Sequence, residues 1–186
     1  MDVFMEQVVK KTPTSRDKML EVLVKISAFA FAFALCFASI AFFPYIAPLA
    51  IFFGLAAVWL SFRLSKKLQI EYEYAFTNGE LDVDKIIAKS KRKRLCSVHI
   101  GSITAFGKWN DDMEVEADST MVIASDNSGK LDEYFMDFKY KDYGDTTLFF
   151  SPNDKMLELM IPYLPREIRR EFEKTYKPKA REDDDE

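Results

Sequence analysis

His99 is the only histidine in the 186-residue chain, so neither a histidine metal cluster nor a Ser-His-Asp triad can be assembled from one copy. Cys36 and Cys96 are too few and too far apart for a disulfide framework or a metal site, and each reads as small apolar filler. Asp111, Asp112, Glu114, Glu116 and Asp118 carry the oxygen chemistry of a hard-cation site. The spacing and turn glycine of an EF-hand are missing, and a solvated acidic loop is the better reading. Gly101, Gly107 and Gly129 stand alone and form no phosphate-cradling loop. No enzyme, metal or cofactor is expected.

The strongest candidate for function is basic. Lys89, Lys91, Arg92, Lys93 and Arg94 form a run, and Lys66 and Lys67 stand upstream of it. Near an anionic leaflet each such charge contributes about 1 kcal/mol, so these seven residues are the candidate lipid-headgroup site. A solvated loop with no ligand is the plain alternative. Nucleic acid is not expected as a partner, because aromatic residues are not interleaved with the run and residues 68–186 hold eighteen Lys/Arg against twenty-six Asp/Glu.

The elements that must position this run begin with residues 26–62, which are 37 consecutive residues without a charge. About 20 apolar residues match a bilayer's hydrocarbon thickness, and this run holds nearly two such lengths, broken by Phe43-Pro44-Tyr45-Ile46-Ala47-Pro48. It predicts a transmembrane helical hairpin, with spans at about 20–43 and 46–65. The mean hydropathy of −0.14 hides this partition between an apolar hairpin and a charged remainder. The text Ala28-Phe29-Ala30-Phe31-Ala32-Phe33-Ala34 alternates with period two, but in lipid only a helix satisfies its own backbone. Small residues then align as Ala30, Ala34, Ala38 and Ala41 in the first span and Ala50, Gly54, Ala57 and Ser61 in the second. Close backbone approach through these two stripes is the expected packing, with Ala28 and Ala32 left over for a partner span.

Lys10, Lys11, Arg16, Lys18 and Lys25 precede the first span and Arg63, Lys66 and Lys67 follow the second, while the connecting loop is uncharged. The positive-inside bias therefore predicts a two-span protein of the cell membrane with both termini cytoplasmic. No signal-peptide cleavage pattern precedes the apolar run, so the segment is expected to be retained. Residues 1–14 read as a separate N-terminal segment, either a short interfacial helix on Val3, Phe4, Val8 and Val9 or disorder. Thr14 with Asp17 fits a capping box that starts the first long helix near residue 15.

Residues 68–177 predict one soluble domain. Leu68, Ile70, Tyr72, Tyr74 and Phe76 alternate with Gln69, Glu71, Glu73 and Ala75 into Thr77-Asn78-Gly79-Glu80, the strongest short-range hairpin signal, with the return strand over 81–87. Further strand-like pieces lie at 95–100, 102–106, 120–124, 134–140 and 146–150, giving about seven strands separated by turn clusters. Ser151 before Pro152 reads as a cap, and Met156, Leu157, Met160 and Leu164 recur at helical spacing. A second helical piece covers 166–176, and residues 178–186 read as a disordered acidic tail.

This order resembles the bacterial pleckstrin-homology-like domains found in uncharacterised two-span membrane proteins. The resemblance rests on Glu73-Tyr74-Ala75-Phe76-Thr77-Asn78-Gly79-Glu80-Leu81-Asp82-Val83 as the opening hairpin, 95–106 as the third and fourth strands, and 152–164 as the closing helix. It covers about residues 66–175. It implies an α+β fold, a transmembrane hairpin followed by a PH-like antiparallel β-barrel or sandwich with a C-terminal helix, and a role in binding lipid or protein at the membrane. It implies no catalytic residues. The expected function is thus a membrane-anchored cytoplasmic interaction domain; the alternative is an accessory subunit of a transport or secretion complex that packs through its hairpin.

Overall fold

The computed structural model describes residues 2–42, 45, 47–110, 113 and 118–176. The expected turn residues Phe43, Pro44 and Ile46, the acidic residues Asp111, Asp112, Glu114 and Glu116, and the tail 178–186 lie outside the described residues. The chain divides into two compact units, Met1–Lys11, Glu71–Ile86 and Arg92–Glu186 in one and Thr12–Ile70 with Ile87–Lys91 in the other.

The first unit holds two four-stranded sheets. One has the order β1-β2-β3-β4, with β1 at Phe4–Lys10, β2 at Ile70–Thr77, β3 at Glu80–Ile87 and β4 at Lys91–His99. The other has the order β5-β7-β8-β6, with β5 at Ala105–Lys108, β6 at Thr120–Ile123, β7 at Tyr134–Tyr140 and β8 at Gly144–Phe150. Helices α3 (Asp154–Met160) and α4 (Arg166–Thr175) follow, joined by a 3-10 turn at Ile161–Tyr163.

Three features depart from the sequence reading. Residues 4–10 are neither helix nor disorder but a strand paired antiparallel to β2, from Phe4 opposite Thr77 to Lys10 opposite Glu71. The separate N-terminal segment is therefore part of the domain, and the apolar hairpin is an insertion between two neighbouring strands. Strand β6 runs parallel to β8 in a sheet expected to be antiparallel, because the chain between β6 and β7 crosses over before β8 returns. The helix cap is Asn153, whose side chain accepts from Met156 N at 2.9 Å, so Ser151 and Pro152 precede the helix.

Strand β1 is held by more than its ladder. The Gln7 amide donates to Ser151 O at 3.0 Å and accepts from Asn153 N at 2.8 Å, tying the edge strand to the β8–α3 connection. Val9, two residues on and on the same face as Gln7, is buried. At the other end Val3 and Asn78 exchange hydrogen bonds, Val3 N to Asn78 Oδ1 and Asn78 N to Val3 O. The β2–β3 turn itself has φ of +48° at Asn78 and +92° at Gly79, the mirror-image turn that an Asn-Gly pair supplies. Gly79 is required on a second count, since a Cβ there would stand 2.6 Å from the Tyr163 ring.

The core between the sheets is built from Tyr74, Phe76, Leu81, Val83, Met136, Leu148 and Phe150, with Met156, Leu157 and Met160 closing it from α3. Tyr74 joins the two sheets chemically. From β2 its hydroxyl donates to Ala124 O at 2.5 Å and accepts from Ser151 N at 3.2 Å, while its ring packs edge-on to Phe150. Burial pushes this phenol well above its ordinary value of 10.

In the second unit, α1 (Ser15–Phe42) and α2 (Ala47–Lys66) are both long and apolar enough to cross a membrane. Thr14 N donates to Asp17 Oδ2 at 3.1 Å at the start of α1, and Pro48 falls in the first turn of α2, where its missing N–H costs nothing. Phe33 (74% exposed), Phe37 (65%) and Phe52 (66%) are among the large apolar side chains that point outward.

Two outcomes test this account. Gln7→Ala should lower stability by about 1–2 kcal/mol, by loss of two hydrogen bonds, in a denaturant melt of the full chain. Tyr74→Phe should cost about 1–3 kcal/mol at neutral pH, because Ser151 N loses its acceptor. Since the folded state holds the Tyr74 proton more tightly than the unfolded chain, this stabilisation is fully present below pH 10 and is lost as pH rises above it. The gap between wild type and Tyr74→Phe should accordingly narrow in alkaline melts.

Candidate functional site

The basic run folds as a turn followed by the first half of β4. Ser90 N donates to Ile87 O at 3.2 Å and closes a two-residue turn in which Ala88 and Lys89 have φ of +53° and +54°. Both residues carry a Cβ in the left-handed region, at about 1 kcal/mol each. The turn is fixed from outside, since Ala88 N donates to Gln69 O at 2.9 Å. Gln69 in turn belongs to the tightened end of α2, where Lys67 N bonds Leu64 O, Leu68 N bonds Ser65 O and Gln69 N bonds Lys66 O. Lys66, Lys67, Lys89 and Lys91 thus belong to one compact unit, and all four are exposed. Among the described residues none of the four has an ion pair.

Strand alternation divides the rest of the run. Lys91 and Lys93 point to one side of β4, Arg92 and Arg94 to the other. Arg92 reaches Glu73 Oε1 at 2.8 Å, and Arg94 reaches Asp82 at 2.8 Å and Asp84 at 2.5 Å. The bond from Asp84 is the chief reason the Arg94 guanidinium holds its proton even more tightly than usual. These two arginines are spent on the sheet, and the lysines are left for solvent. Lys93 is exposed on β4.

The helix-packing stripes fall differently from the expectation on one side. On α2 the buried residues are Ala50, Gly54, Ser61 and Ser65, with Ala57 half-buried. On α1 the expected Ala30, Ala34 and Ala38 are exposed, and the face turned inward carries Val24, Lys25, Ala28, Ala32, Leu35, Cys36 and Ser39. A Cβ added at Gly54 would meet the Ala32 Cβ at 3.3 Å. Alanine at every second position places two equivalent stripes on nearly opposite sides of a helix, and only the residues beyond the repeat choose between them. Cys36 and Ser39 extend the 28/32 stripe upward. Below it Lys25 binds Glu21 at 2.6 Å and sits 5.6 Å from the Phe62 ring centre.

The other sequence candidates are placed without chemistry. His99 is exposed at the end of β4, and its carbonyl accepts from Ser102 Oγ at 2.8 Å. Cys96 is fully buried, with its thiol pushed up to about 12 by that burial, which removes nucleophilic character. Among the described residues no group of three or more His, Cys, Asp or Glu can hold a metal ion. The strained turn at Ala88 and Lys89 escaped the sequence reading because it lacks the glycine or asparagine that marks such turns.

A family model described as "Bacterial PH-like domain (DUF6106)" matches residues 1–170. No curated protein and no solved structure matches the chain.

Replacing Lys89 by glycine relieves one left-handed Cβ. Lys89→Gly should therefore raise stability by about 1 kcal/mol in a denaturant melt while removing a charge from the cluster; an unchanged or lower stability would show that Lys89 is not strained.

Proposed function

We propose that this chain, which belongs to the bacterial PH-like domain family, is a membrane-anchored interaction module whose exposed lysines dock on anionic lipid headgroups. PH-like domains are in general non-catalytic interaction modules. The anchor reading is supported by two apolar helices with outward phenylalanines, a surface that lipid satisfies and water does not. Lysines and arginines gathered at both flanks of the pair favour a cytoplasmic placement for both termini.

One observation carries the lipid reading. The β3–β4 turn is hydrogen-bonded to the end of α2, so that Lys89 and Lys91 share a unit with Lys66 and Lys67 directly beyond the apolar helix. Strain at Lys89 fits this role, since backbone strain persists where position matters more than stability. A second reading, an accessory subunit of a membrane transport or secretion assembly, draws on a groove of about 650 Å³ between α1 and α2, bounded by Leu35, Ala38, Ala50 and Phe53.

The test uses the full chain in mild detergent, titrated with dioctanoyl phosphatidylglycerol or dioctanoyl phosphatidylcholine and followed by thermal stabilisation. The anionic phosphatidylglycerol should bind in preference, weakening with salt. With about 1 kcal/mol per charge, changing Lys66, Lys67, Lys89 and Lys91 together to Gln should weaken binding about a hundredfold or more. Changing Arg92 and Arg94 to Gln should instead lower stability and leave lipid preference in place. Equal binding of both lipids, or indifference to the four lysine changes, rejects the reading.

A further inference from the structure

A second recessed surface lies wholly within the β-rich unit. It is a cleft of about 640 Å³ between β5, the start of β7, and α4, within the size range of ligand sites. Its wall is aromatic, with Phe106, Tyr134 and Phe172 buried in it and the half-buried Phe135 and Tyr176 supplying its exposed ring surface. Phe106 packs against Phe172 at 4.8 Å between ring centres and stacks on Tyr134 at 6.0 Å, and Tyr176 stacks on Phe172 at 5.1 Å. Three carboxylates from three separate elements line the same space: Asp132 ahead of β7, Asp154 at the start of α3 and Glu171 on α4. Among the described lining residues Lys108 is the one cation, and it is bound to Asp132 at 2.7 Å. The described lining residues therefore carry a net negative charge beside ring surface.

That combination selects for cations on apolar stems. A carboxylate attracts an ammonium group directly, and the face of an aromatic ring attracts it through the quadrupole while packing the methylene chain that bears it. A bare metal ion would leave the aromatic wall unused, and an anionic lipid headgroup would be repelled. The phenols feel the same field: burial first, then Asp132 for Tyr134 and Asp154 for Tyr176, push both up to about 12.

We propose that this cleft binds a lysine-bearing segment of a protein partner. The carboxylates are spread over three elements with rings between them, which suits a chain that alternates basic and apolar groups better than a single compact cation. Its lining residues are different from those of the lysine cluster and opposite to them in charge.

The test uses the full chain in mild detergent. The probe is the peptide acetyl-Lys-Leu-Lys-Leu-Lys-amide, compared with the same peptide carrying glutamine for each lysine. Binding is followed by chemical shifts of the aromatic side chains. The lysine peptide should bind and shift Tyr134 and Tyr176, the glutamine peptide should not, and Asp154→Asn with Glu171→Gln should weaken the lysine peptide about tenfold or more. Binding of both peptides alike, or no effect of the two carboxylate changes in a protein that melts as wild type does, overturns the proposal. Spermidine is the free-amine arm: shifts with spermidine and none with the peptide would assign the cleft to a small amine and overturn a protein partner. The chain continues past Tyr176 with Lys177, Lys179 and Arg181. If removal of residues 177–186 were needed before the peptide bound, the chain's own tail would be the occupant, and the partner would again be overturned.

Discussion

The pairing of Lys10 with Glu71 sets the terms for everything else in this molecule. These two residues are the last rung of the β1–β2 ladder, and sixty residues of chain, including both apolar helices, leave the sheet at one and return at the other. A hairpin of helices rooted in adjacent antiparallel strands must begin and end at one place. Any membrane crossing made between these residues has to be made an even number of times. The sheet thus asks of the insertion the same even parity that the positive flanks favour under the proposed membrane placement.

How far the sequence discloses this plan depends on the distance over which each signal acts. The β2–β3 hairpin is legible because Asn78-Gly79 needs no partner to fix its turn, and β7 and β8 are legible from short runs bounded by turn clusters. Strand β1 is not. Phe4, Glu6 and Val8 on one side and Met5, Gln7 and Val9 on the other mix apolar and polar residues, so no single face stands out. What makes those residues a strand is the edge of β2, and no local pattern records that edge. The inner face of α1 escapes for a related reason: an Ala-Phe repeat of period two gives a helix two equivalent small faces, and the choice lies with Cys36, Ser39 and Gly54 of the opposite helix.

The basic run shows the same limit in its chemistry. Five basic residues that read as one positive patch divide into arginines answered by Glu73, Asp82 and Asp84 on β2 and β3, and lysines with no ion pair among the described residues. The division follows from the period of the strand, and the partners come from sequence ten to twenty residues away. Arginine's planar fork suits the bidentate, part-buried pairing on the sheet, and lysine's hydrated ammonium suits the solvent side. The residue types sort as their hydration does, which the count of charges conceals.

The insertion between β1 and β2 also fixes an order of events. On a chain made from its N-terminus, residues 4–10 emerge first, and the strand they pair with is made only after both apolar helices. Strand β1 must therefore remain unpaired until both apolar helices have been made, and its contacts through Gln7 wait further for Ser151 and Asn153. Pairing of the first strand is thereby made to wait upon the apolar helices: under the proposed membrane placement, an odd number of crossings would leave this seven-residue strand across the bilayer from the sheet it belongs to.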